Sequence, residues 1–558
     1  MKLIKNKPKI GFSEVSLLFT LLFTGGFNEY ISCAVSTLLC VFLIIKIAQQ
    51  KCVKLRVNLV FIGVCVTTLF YLISTFYAID SGMAFVGFLK FLPVLLYLLL
   101  LFQNESERDT IIKHLPFYTT VMSFLSIVLM FIPKADYYFN VEGRLAGFFQ
   151  YPNTYAMFVL VSILLIVSYD KRSIYDYVSL FILCVTLLLT QSRTVFVLAF
   201  ISVAVMLLCK KGKKTKLIVA VSIITFVGIY FAMYPLLKEH EFFSRFYAIS
   251  VFESTFAGRL LYYYDALAVI FKHPFGLGYM GYYYIEQSIQ SGVYAIKYIH
   301  NDALQLILDV GFIPFILYII TVAKSLFSKS APLSHKIILS TMFLHSLLDF
   351  DLQFIAMAFM MLLFMDYNSS SQKVLKKSGA KAITLVFVLG LISAYFCVAL
   401  ALSHFDYYEA SANLYNNNTQ NKTSLIIKED DPQKRDEIAD EILSRNSYVQ
   451  VAYSAKVEYA KAQGDIESVI KYKNTIFKIA PFDYDEYEDY CYTLIEAATI
   501  YEESGDFESA GICKEELINT KEKLSQLNDR LSYLGKLIDD QPKTTLPSDI
   551  LSYIDTNC

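Results

Sequence analysis

The sequence predicts an all-α protein that combines a polytopic membrane domain with a soluble α-helical domain at its C-terminal end. Of its 558 residues, 56% are hydrophobic and 18% are charged, and the mean hydropathy is +0.48. A soluble protein of this length carries more charge, because its surface must be wetted. Charged residues are sparse up to Leu402 and dense from His404 onward. We therefore predict a membrane domain at 1–402 and a soluble domain at 403–558.

The membrane spans are predicted from apolar runs of roughly 20 residues, the length of a helix that crosses a bilayer. About thirteen such runs lie near residues 10–28, 30–48, 57–78, 83–102, 114–133, 151–168, 174–190, 193–209, 217–237, 303–323, 336–350, 353–366 and 382–402. The short pair at 336–366 is also compatible with one broken hairpin. The first run continues too far for a cleaved signal peptide, so we interpret it as a span.

The orientation follows from the connections between spans. Lys and Arg collect in every second connection, most densely at Lys210–Lys216, while the connection at 103–113 mixes both charges. The positive-inside rule then places the N-terminus in the cytoplasm of a cell membrane. An odd number of spans places the domain at 403–558 outside the cell. The longest connection, the outer loop 238–302, is predicted to be functional because it is long and rich in polar residues.

Two classes of site are not supported by the composition. A net charge of −1 provides no basic field for nucleic acid, so we predict no nucleic-acid partner. The ten cysteines contain no CxxC or Cys/His spacing typical of zinc, so we predict no metal site. Spacing does not decide whether Cys491, Cys513 and Cys558 form disulfides.

The soluble domain contains two similar stretches, 457–465 and 498–506, in which a predicted helix ends in Gly-Asp and another helix follows. This pattern resembles the helical hairpins of tetratricopeptide repeats. The interval between the two Gly-Asp pairs exceeds the usual period of about 34 residues, so a plain helical bundle remains an alternative. Either fold is typical of an interaction or spacing domain, and we predict a protein partner for it.

Two arginines lie near the predicted outer face of the membrane domain. Arg193 follows Thr190-Gln191-Ser192 between two spans, and Arg144 precedes the Phe-Phe-Gln-Tyr-Pro-Asn segment at 148–153. A guanidinium fork suits a phosphate. For Arg193 the alternative is an interfacial arginine that extends toward water. For Arg144 the alternative is a role in loop structure.

The outer loop carries a further arginine and a histidine. Arg259 is predicted to open a helix at Leu260–Phe271, where backbone N–H groups favour an anion. The Pro-Phe-Gly-Leu-Gly turn after it has glycines that we interpret as structural. His300 precedes the next span and is the candidate general base, with Asn301 or Asp302 to orient it.

His345 and Asp349 have the i, i+4 spacing of one helix face, and we predict that they surround the base or the acceptor site. All these groups indicate an anionic, membrane-embedded substrate that presents phosphate at the outer leaflet. A sugar linked to a polyprenyl diphosphate fits, because its leaving group needs fixed positive charge. No Asp/Glu cage for a divalent metal lies near the arginines in the sequence, so we predict neither a metal nor a cofactor.

The same segments resemble the O-antigen ligase and O-antigen polymerase family of bacterial envelope proteins. They extend over about 140–311, within a family core of about 140–365, and are Gly143–Asn153, Thr190–Arg193, Gly258-Arg259, His273–Gly278 and His300-Asn301. The resemblance implies the C-type fold of membrane glycosyltransferases and a metal-independent, inverting transfer from undecaprenyl diphosphate. It also implies that Arg193 and Arg259 bind the diphosphate and that His300 is the base. We predict Arg144 as a further diphosphate-binding residue from its position in the sequence.

The resemblance leaves the acceptor open, because the extra span and the outer helical domain depart from the family pattern. Lipid A core, another glycan chain, a protein and a wall polymer all remain candidates. A protein O-oligosaccharyltransferase is the nearest alternative. A transporter of lipid-linked glycans is a different class, and it predicts charges at the bilayer midplane and internal repeats. We also expect removal of the residues after 403 to spare the chemistry.

Overall fold

The chain forms two compact units in a computed structural model that describes residues 10–209, 254–366, 371–376 and 379–558. The first unit comprises residues 1–73, 86–249 and 300–401, and the second comprises 74–85, 250–299 and 402–558. The second unit therefore contains most of the outer loop together with the C-terminal region. The predicted span at 217–237 lies outside the described residues.

The first unit is built almost entirely of apolar helices. In chain order, and including three helices that extend into the second unit, they are Phe12–Leu22, Glu29–Gln50, Leu59–Ser74, Ser81–Gln103, Ser106–Met130, Asp136–Phe139, Pro152–Ser168, Ile174–Thr190, Arg193–Leu208, Asp302–Val310, Phe312–Phe327, Leu333–Ser346, Ile355–Phe364 and Gly379–His404. Helix Pro152–Ser168 is buried along almost its whole length and forms the centre of the packing.

Four of the described helices are long and apolar enough to cross a membrane, namely Glu29–Gln50, Ser81–Gln103, Ser106–Met130 and Gly379–His404. Several shorter apolar helices accompany them. The prediction of an α-helical membrane protein is confirmed at this level, and the count of thirteen spans stays a prediction.

Glycines interrupt two of the predicted runs. The run at 303–323 is two helices that meet at Gly311, whose φ of 81° is left-handed. The run at 10–28 ends as a helix at Leu22, and a short turn through Gly25 at φ 60° follows. Glycine adopts these angles without the clash that a Cβ would cause. Hydropathy alone therefore overestimated the length of both helices.

The strands of the described chain are four short ones in two antiparallel pairs. Val53–Leu55 pairs with Lys373–Leu375, and Asn140–Val141 pairs with Arg144–Leu145. The second pair is a hairpin that turns through Gly143 at φ 75°. This turn brings Arg144 back toward the helices of the first unit. Apart from these pairs, the fold is all-α as predicted.

The second unit is also helical. Its complete helices are Ser254–Lys272, Gly281–Ile289, Tyr408–Leu414, Thr419–Lys428, Pro432–Leu443, Gln450–Gln463, Ile466–Ile479, Tyr484–Ser504, Phe507–Ser525 and Ser548–Asn557. Both Gly-Asp pairs join two helices as predicted: Gly464 and Gly505 are left-handed, and Asp465 and Asp506 accept hydrogen bonds from backbone N–H groups at the start of the next helix. The assignment to tetratricopeptide repeats stays a prediction.

All ten cysteines have free thiols. Cys491 and Cys513 are buried in the apolar core of the C-terminal helices, whereas Cys558 is exposed. No disulfide therefore joins the three cysteines of residues 403–558.

Candidate functional site

The centre of the candidate site is a pair formed by His300 and Asp349. His300 lies directly before helix Asp302–Val310, and its Nδ1 is 3.3 Å from Oδ1 of Asp349. Its side chain is 24% exposed, whereas that of Asp349 is only 2% exposed. A buried carboxylate at Nδ1 favours the neutral tautomer that keeps its proton there. The lone pair is then on Nε2, which is the arrangement that a general base requires.

Asp349 is held by three donors besides the imidazole. The hydroxyl of Tyr151 and Nδ2 of Asn153 each donate to its carboxylate over 2.8 Å, and the backbone N–H of Phe350 donates over 3.0 Å. The ring of Phe350 also meets the His300 ring edge to face, with centroids 4.9 Å apart. These contacts stabilise the negative charge of Asp349 and limit the rotation of the imidazole.

Arg144 is joined to this pair through Asn153. Its Nη2 donates to Oδ1 of Asn153 over 2.6 Å, and its Nε donates to the backbone carbonyl of Thr190 over 3.0 Å. A continuous chain of contacts thus runs from Arg144 through Asn153 and Asp349 to His300. The guanidinium of Arg144 also anchors the end of helix Ile174–Thr190, which precedes Arg193.

Arg193 is the first residue of helix Arg193–Leu208. The chain turns at Gln191, whose φ is 50°, between helix Ile174–Thr190 and this helix. The side chain of Arg193 is half-buried. Ser192 is 2% exposed, and its Oγ has no hydrogen-bond partner among the described residues. The first N–H groups of a helix favour an anion, so Arg193 lies where an arginine and a helix terminus reinforce each other.

Arg259 occupies a different local setting from the one predicted. Its helix begins at Ser254 rather than at Leu260, so Arg259 lies in the second turn, where the backbone N–H groups are already bonded within the helix. The helix-terminus argument is therefore wrong for Arg259. Arg259 also belongs to the second unit, so its approach to His300 stays a prediction.

The glycines of the Pro-Phe-Gly-Leu-Gly turn have a packing role, as we interpreted them. Gly276 and Gly278 are left-handed, and the carbonyl of Leu277 between them accepts a hydrogen bond from the N–H of Ile79 over 3.0 Å. A Cβ on Gly278 would lie 2.4 Å from the Cβ of Ala78. The turn thus holds the outer loop against residues 77–79, within the second unit.

The residues chosen to orient His300 have other roles. Asn301 is the N-cap of helix Asp302–Val310, and its side chain accepts from the N–H groups of Ala303 and Leu304. Asp302 is buried, and its Oδ2 accepts from the N–H of Leu352 over 2.9 Å. Asp349 contacts the imidazole instead.

The predicted helix face shared by His345 and Asp349 is wrong, because helix Leu333–Ser346 ends before Asp349. Nδ1 of the buried His345 lies 2.5 Å from Oδ2 of Asp351. The other carboxylate oxygen of Asp351 accepts from the hydroxyl of Thr154 over 2.8 Å. Two His–Asp pairs thus lie near each other in sequence, and the one that is partly exposed contains His300.

Comparison with known proteins adds one finding. Residues 178–319 match the family model described as O-antigen ligase. The match includes Arg193, Arg259 and His300, while Arg144, His345 and Asp349 lie outside it. No curated protein and no solved structure shows significant similarity to the chain. The O-antigen ligase match and the apolar helices support a membrane enzyme of the O-antigen ligase or polymerase type.

Several polar residues of the first unit were not predicted from the sequence. Tyr151 and Asn153 belong to the Phe-Phe-Gln-Tyr-Pro-Asn segment, and their polar side chains between aromatic residues were a usable signal. Lys90, inside an apolar helix, is fully buried, lies 3.9 Å from Glu29 and sits over the ring of Phe27 at 5.0 Å. A lysine within an apolar run is itself a signal of function.

No group of three or more His, Cys, Asp or Glu side chains that could hold a metal ion occurs in the part of the chain that the structure describes. Arg144 and Arg193, the two arginines of the first unit that are predicted to bind phosphate, are both half-buried. Their guanidinium groups could neutralise a bound phosphate.

Proposed function

We propose that this protein transfers or polymerises a glycan from undecaprenyl diphosphate onto an acceptor hydroxyl at the outer face of the cytoplasmic membrane. The observation that carries the proposal is the contact chain from Arg144 through Asn153 and Asp349 to the partly exposed His300. On this proposal His300 is the base, Asp349 is the acid that orients it and Arg144 is a fixed cation of the same network. The O-antigen ligase match supports the reaction class.

The reaction that fits these groups is a single displacement. Nε2 of His300 takes the proton of the acceptor hydroxyl while that oxygen forms a bond to the anomeric carbon of the donor sugar. The bond from this carbon to the diphosphate oxygen breaks, and its electron pair leaves with the diphosphate. Attack opposite the leaving group inverts the configuration of the anomeric carbon.

The diphosphate gains negative charge as it leaves, and fixed cations lower the energy of that state. Arg193 at its helix terminus and Arg144 in its network supply this charge in the first unit, and we propose Arg259 as a third cation. The Oγ of Ser192, which has no hydrogen-bond partner among the described residues, offers a hydrogen bond to the same anion. On this proposal the arginines replace a divalent metal.

The test measures glycan transfer by the full-length protein in lipid, with undecaprenyl-diphosphate glycan as the donor and a chelator present. Lipid, glycan and protein acceptors are tested in separate reactions. His300→Ala should lower the transfer rate by about 10²–10⁴-fold, because it removes the proton acceptor. His404→Ala is the matched control, since His404 is exposed at the end of helix Gly379–His404. Product mass identifies the acceptor, and anomeric configuration tests inversion.

Unchanged transfer by His300→Ala would remove His300 from the mechanism. Transfer only to the protein acceptor would favour a protein O-oligosaccharyltransferase. Movement of the lipid-linked glycan across a vesicle membrane without any product would favour the transporter and reject the proposal. Loss of all transfer on chelation, restored by a divalent metal, would contradict the role given to the arginines.

A further inference from the structure

The segment at residues 528–541 near the C-terminus, here called the tail segment, packs against the helix that carries Arg259. Ile538 of the tail segment forms a buried apolar cluster with Ala257 and Leu261 of helix Ser254–Lys272. Leu534 and Leu537 pack against the same cluster. Ala257 and Leu261 are one helical turn apart and lie on either side of Arg259 in the sequence. The tail segment therefore covers the face of this helix next to Arg259.

A hydrogen-bond network joins the same two elements through Ser291. The backbone carbonyl of Ser291 accepts from the N–H of Ser532 in the tail segment over 2.9 Å. Asp265, two turns after Ala257 on the Arg259 helix, accepts from the N–H of Ser291 over 3.0 Å and from its hydroxyl over 2.6 Å. The hydroxyl of Tyr294 donates to Asp265 over 2.9 Å. Ser291 thus bonds to the tail segment on one side and to the Arg259 helix on the other.

Two glycines allow the close approach of the backbones at this point. A Cβ on Gly535 would lie 2.1 Å from the carbonyl oxygen of Ser291 and 3.0 Å from Cα of Gly292. A Cβ on Gly292 would lie 2.8 Å from Cα of Gly535. Backbone atoms cannot move aside as a flexible side chain can, so any side chain at Gly535 must separate the tail segment from Ser291.

The tail segment also brings negative charge to the surroundings of Arg259. The pKa of Tyr262 is raised mainly by burial, while the positive charge of Arg259 lowers it and the negative charges of Glu286 and Asp540 raise it. Asp540 therefore lies close enough to act on the same tyrosine as Arg259. The tail segment thus contributes one charged group, Asp540, to the surroundings of Arg259, and the direction of a guanidinium matters when it binds a phosphate.

We infer that the tail segment positions the Arg259 helix, so that the C-terminal domain takes part in turnover of the donor and does not serve only to bind partners. This inference rests on the proposed function, because it assigns Arg259 to the donor diphosphate. It replaces the expectation that removal of the residues after 403 spares the chemistry. Gly535 and Ile538 are positioning residues, which act through the helix and do not touch the substrate.

The test uses Gly535→Ala in the full-length protein, with two measurements. Hydrogen exchange should become faster in residues 254–272, because the added methyl separates the tail segment from Ser291. In the transfer assay, kcat/KM for the donor should fall by about 10–10²-fold, because displacement of a binding group by about 1 Å has effects of this size. The KM for the acceptor should not change.

Gly511→Ala is the matched control, because a Cβ at Gly511 meets no atom within 4 Å. It should leave both measurements at the wild-type values. If Gly535→Ala does not fold, Ile538→Ala decides, since it removes only apolar contact; Ile538→Leu should restore both values. Unchanged exchange in 254–272, or faster exchange with unchanged donor kinetics, would overturn the inference. A wild-type protein without transfer activity would instead reject the proposed function, and hydrogen exchange would still test the packing.

Discussion

At the scale of single residues, the contact between His300 and Asp349 is the feature on which the proposed chemistry depends. The carboxylate is almost fully buried and holds the imidazole at Nδ1, while Tyr151 and Asn153 hold the carboxylate. An acid in this position keeps the base in one tautomer and stabilises the imidazolium that forms when it takes a proton. On the proposed mechanism, Asp349 positions the base and need not touch the substrate.

Asp349→Asn should lower kcat for transfer by about 10²-fold or more, because the amide cannot stabilise the imidazolium and can select the wrong tautomer; the equivalent change in a Ser-His-Asp triad costs about 10⁴-fold. The same substitution in a His300→Ala background should cause no further loss, because residues that act as a unit are not additive. Asp170→Asn, at an exposed aspartate, is the control. An equal loss in both backgrounds would mean that Asp349 acts independently of His300.

The sequence predicted His300 as the base and Asp349 as a residue near the base or the acceptor, but it did not pair the two. Asn301 and Asp302 were chosen because they are adjacent in the chain, whereas Asp349 reaches His300 only through the packing of helices that are distant in sequence. Spacing at i, i+4 suggested a shared face for His345 and Asp349, but the helix ends between them. Residue type and local motif thus predicted the candidates, and only tertiary structure could pair them.

At the scale of secondary-structure elements, the outer loop of the second unit depends on a buried acid. Glu286, in helix Gly281–Ile289, is 3% exposed, and its Oε1 accepts from Nε2 of Gln290 over 2.8 Å and from the N–H of Ile296 over 3.3 Å. Burial raises the pKa of Glu286 to about 8. The folded loop therefore holds Glu286 protonated at neutral pH.

The pH dependence follows from this pKa. Because the folded state binds the proton more tightly than the unfolded state, the contribution of Glu286 to stability is complete below the ordinary glutamate pKa of 4.5. It is lost as the pH rises through the pKa of about 8 in the folded state. The protection of residues 281–296 against hydrogen exchange, corrected for the intrinsic pH dependence of amide exchange, should fall between pH 5 and about 8. Glu286→Gln should abolish this fall in protection, and Glu508→Gln, at an exposed site, should keep it. Equal pH dependence in all three proteins would exclude Glu286 as its cause.

The elements themselves were predictable where local chemistry decides them. The Gly-Asp joints combine a left-handed helix end with an N-cap, and both signals are visible in the sequence. Helix Asp302–Val310 was not predicted as a separate element, because the apolar run continues across Gly311. A single glycine changes the average hydropathy of such a run very little. The early start of the Arg259 helix was missed since Ser254 and Thr255 lie outside the apolar pattern.

At the scale of the whole molecule, the orientation in the membrane stays a prediction that two native cysteines can test. Cys209 is exposed at the end of helix Arg193–Leu208, next to the lysine cluster, and Cys558 is exposed at the C-terminus. The positive-inside rule places Cys209 in the cytoplasm and Cys558 outside. A thiol reagent that cannot cross membranes should label Cys558 in intact cells and Cys209 only after permeabilisation. Mass spectrometry of the labelled peptides gives the result, and the reverse pattern would invert the topology.

The pairing of strands Val53–Leu55 and Lys373–Leu375 has a consequence for biogenesis. At a synthesis rate of about 5–20 residues per second, the first strand waits on the order of tens of seconds for the second to leave the ribosome. During that time its free edge could join another chain. The side chain of Gln103 is available sooner and bonds to both the N–H and the carbonyl of Lys54, while Arg56 binds Glu105. Gln103 thus bonds to one edge of strand Val53–Leu55 early in synthesis. The other edge is paired only later, when strand Lys373–Leu375 has left the ribosome.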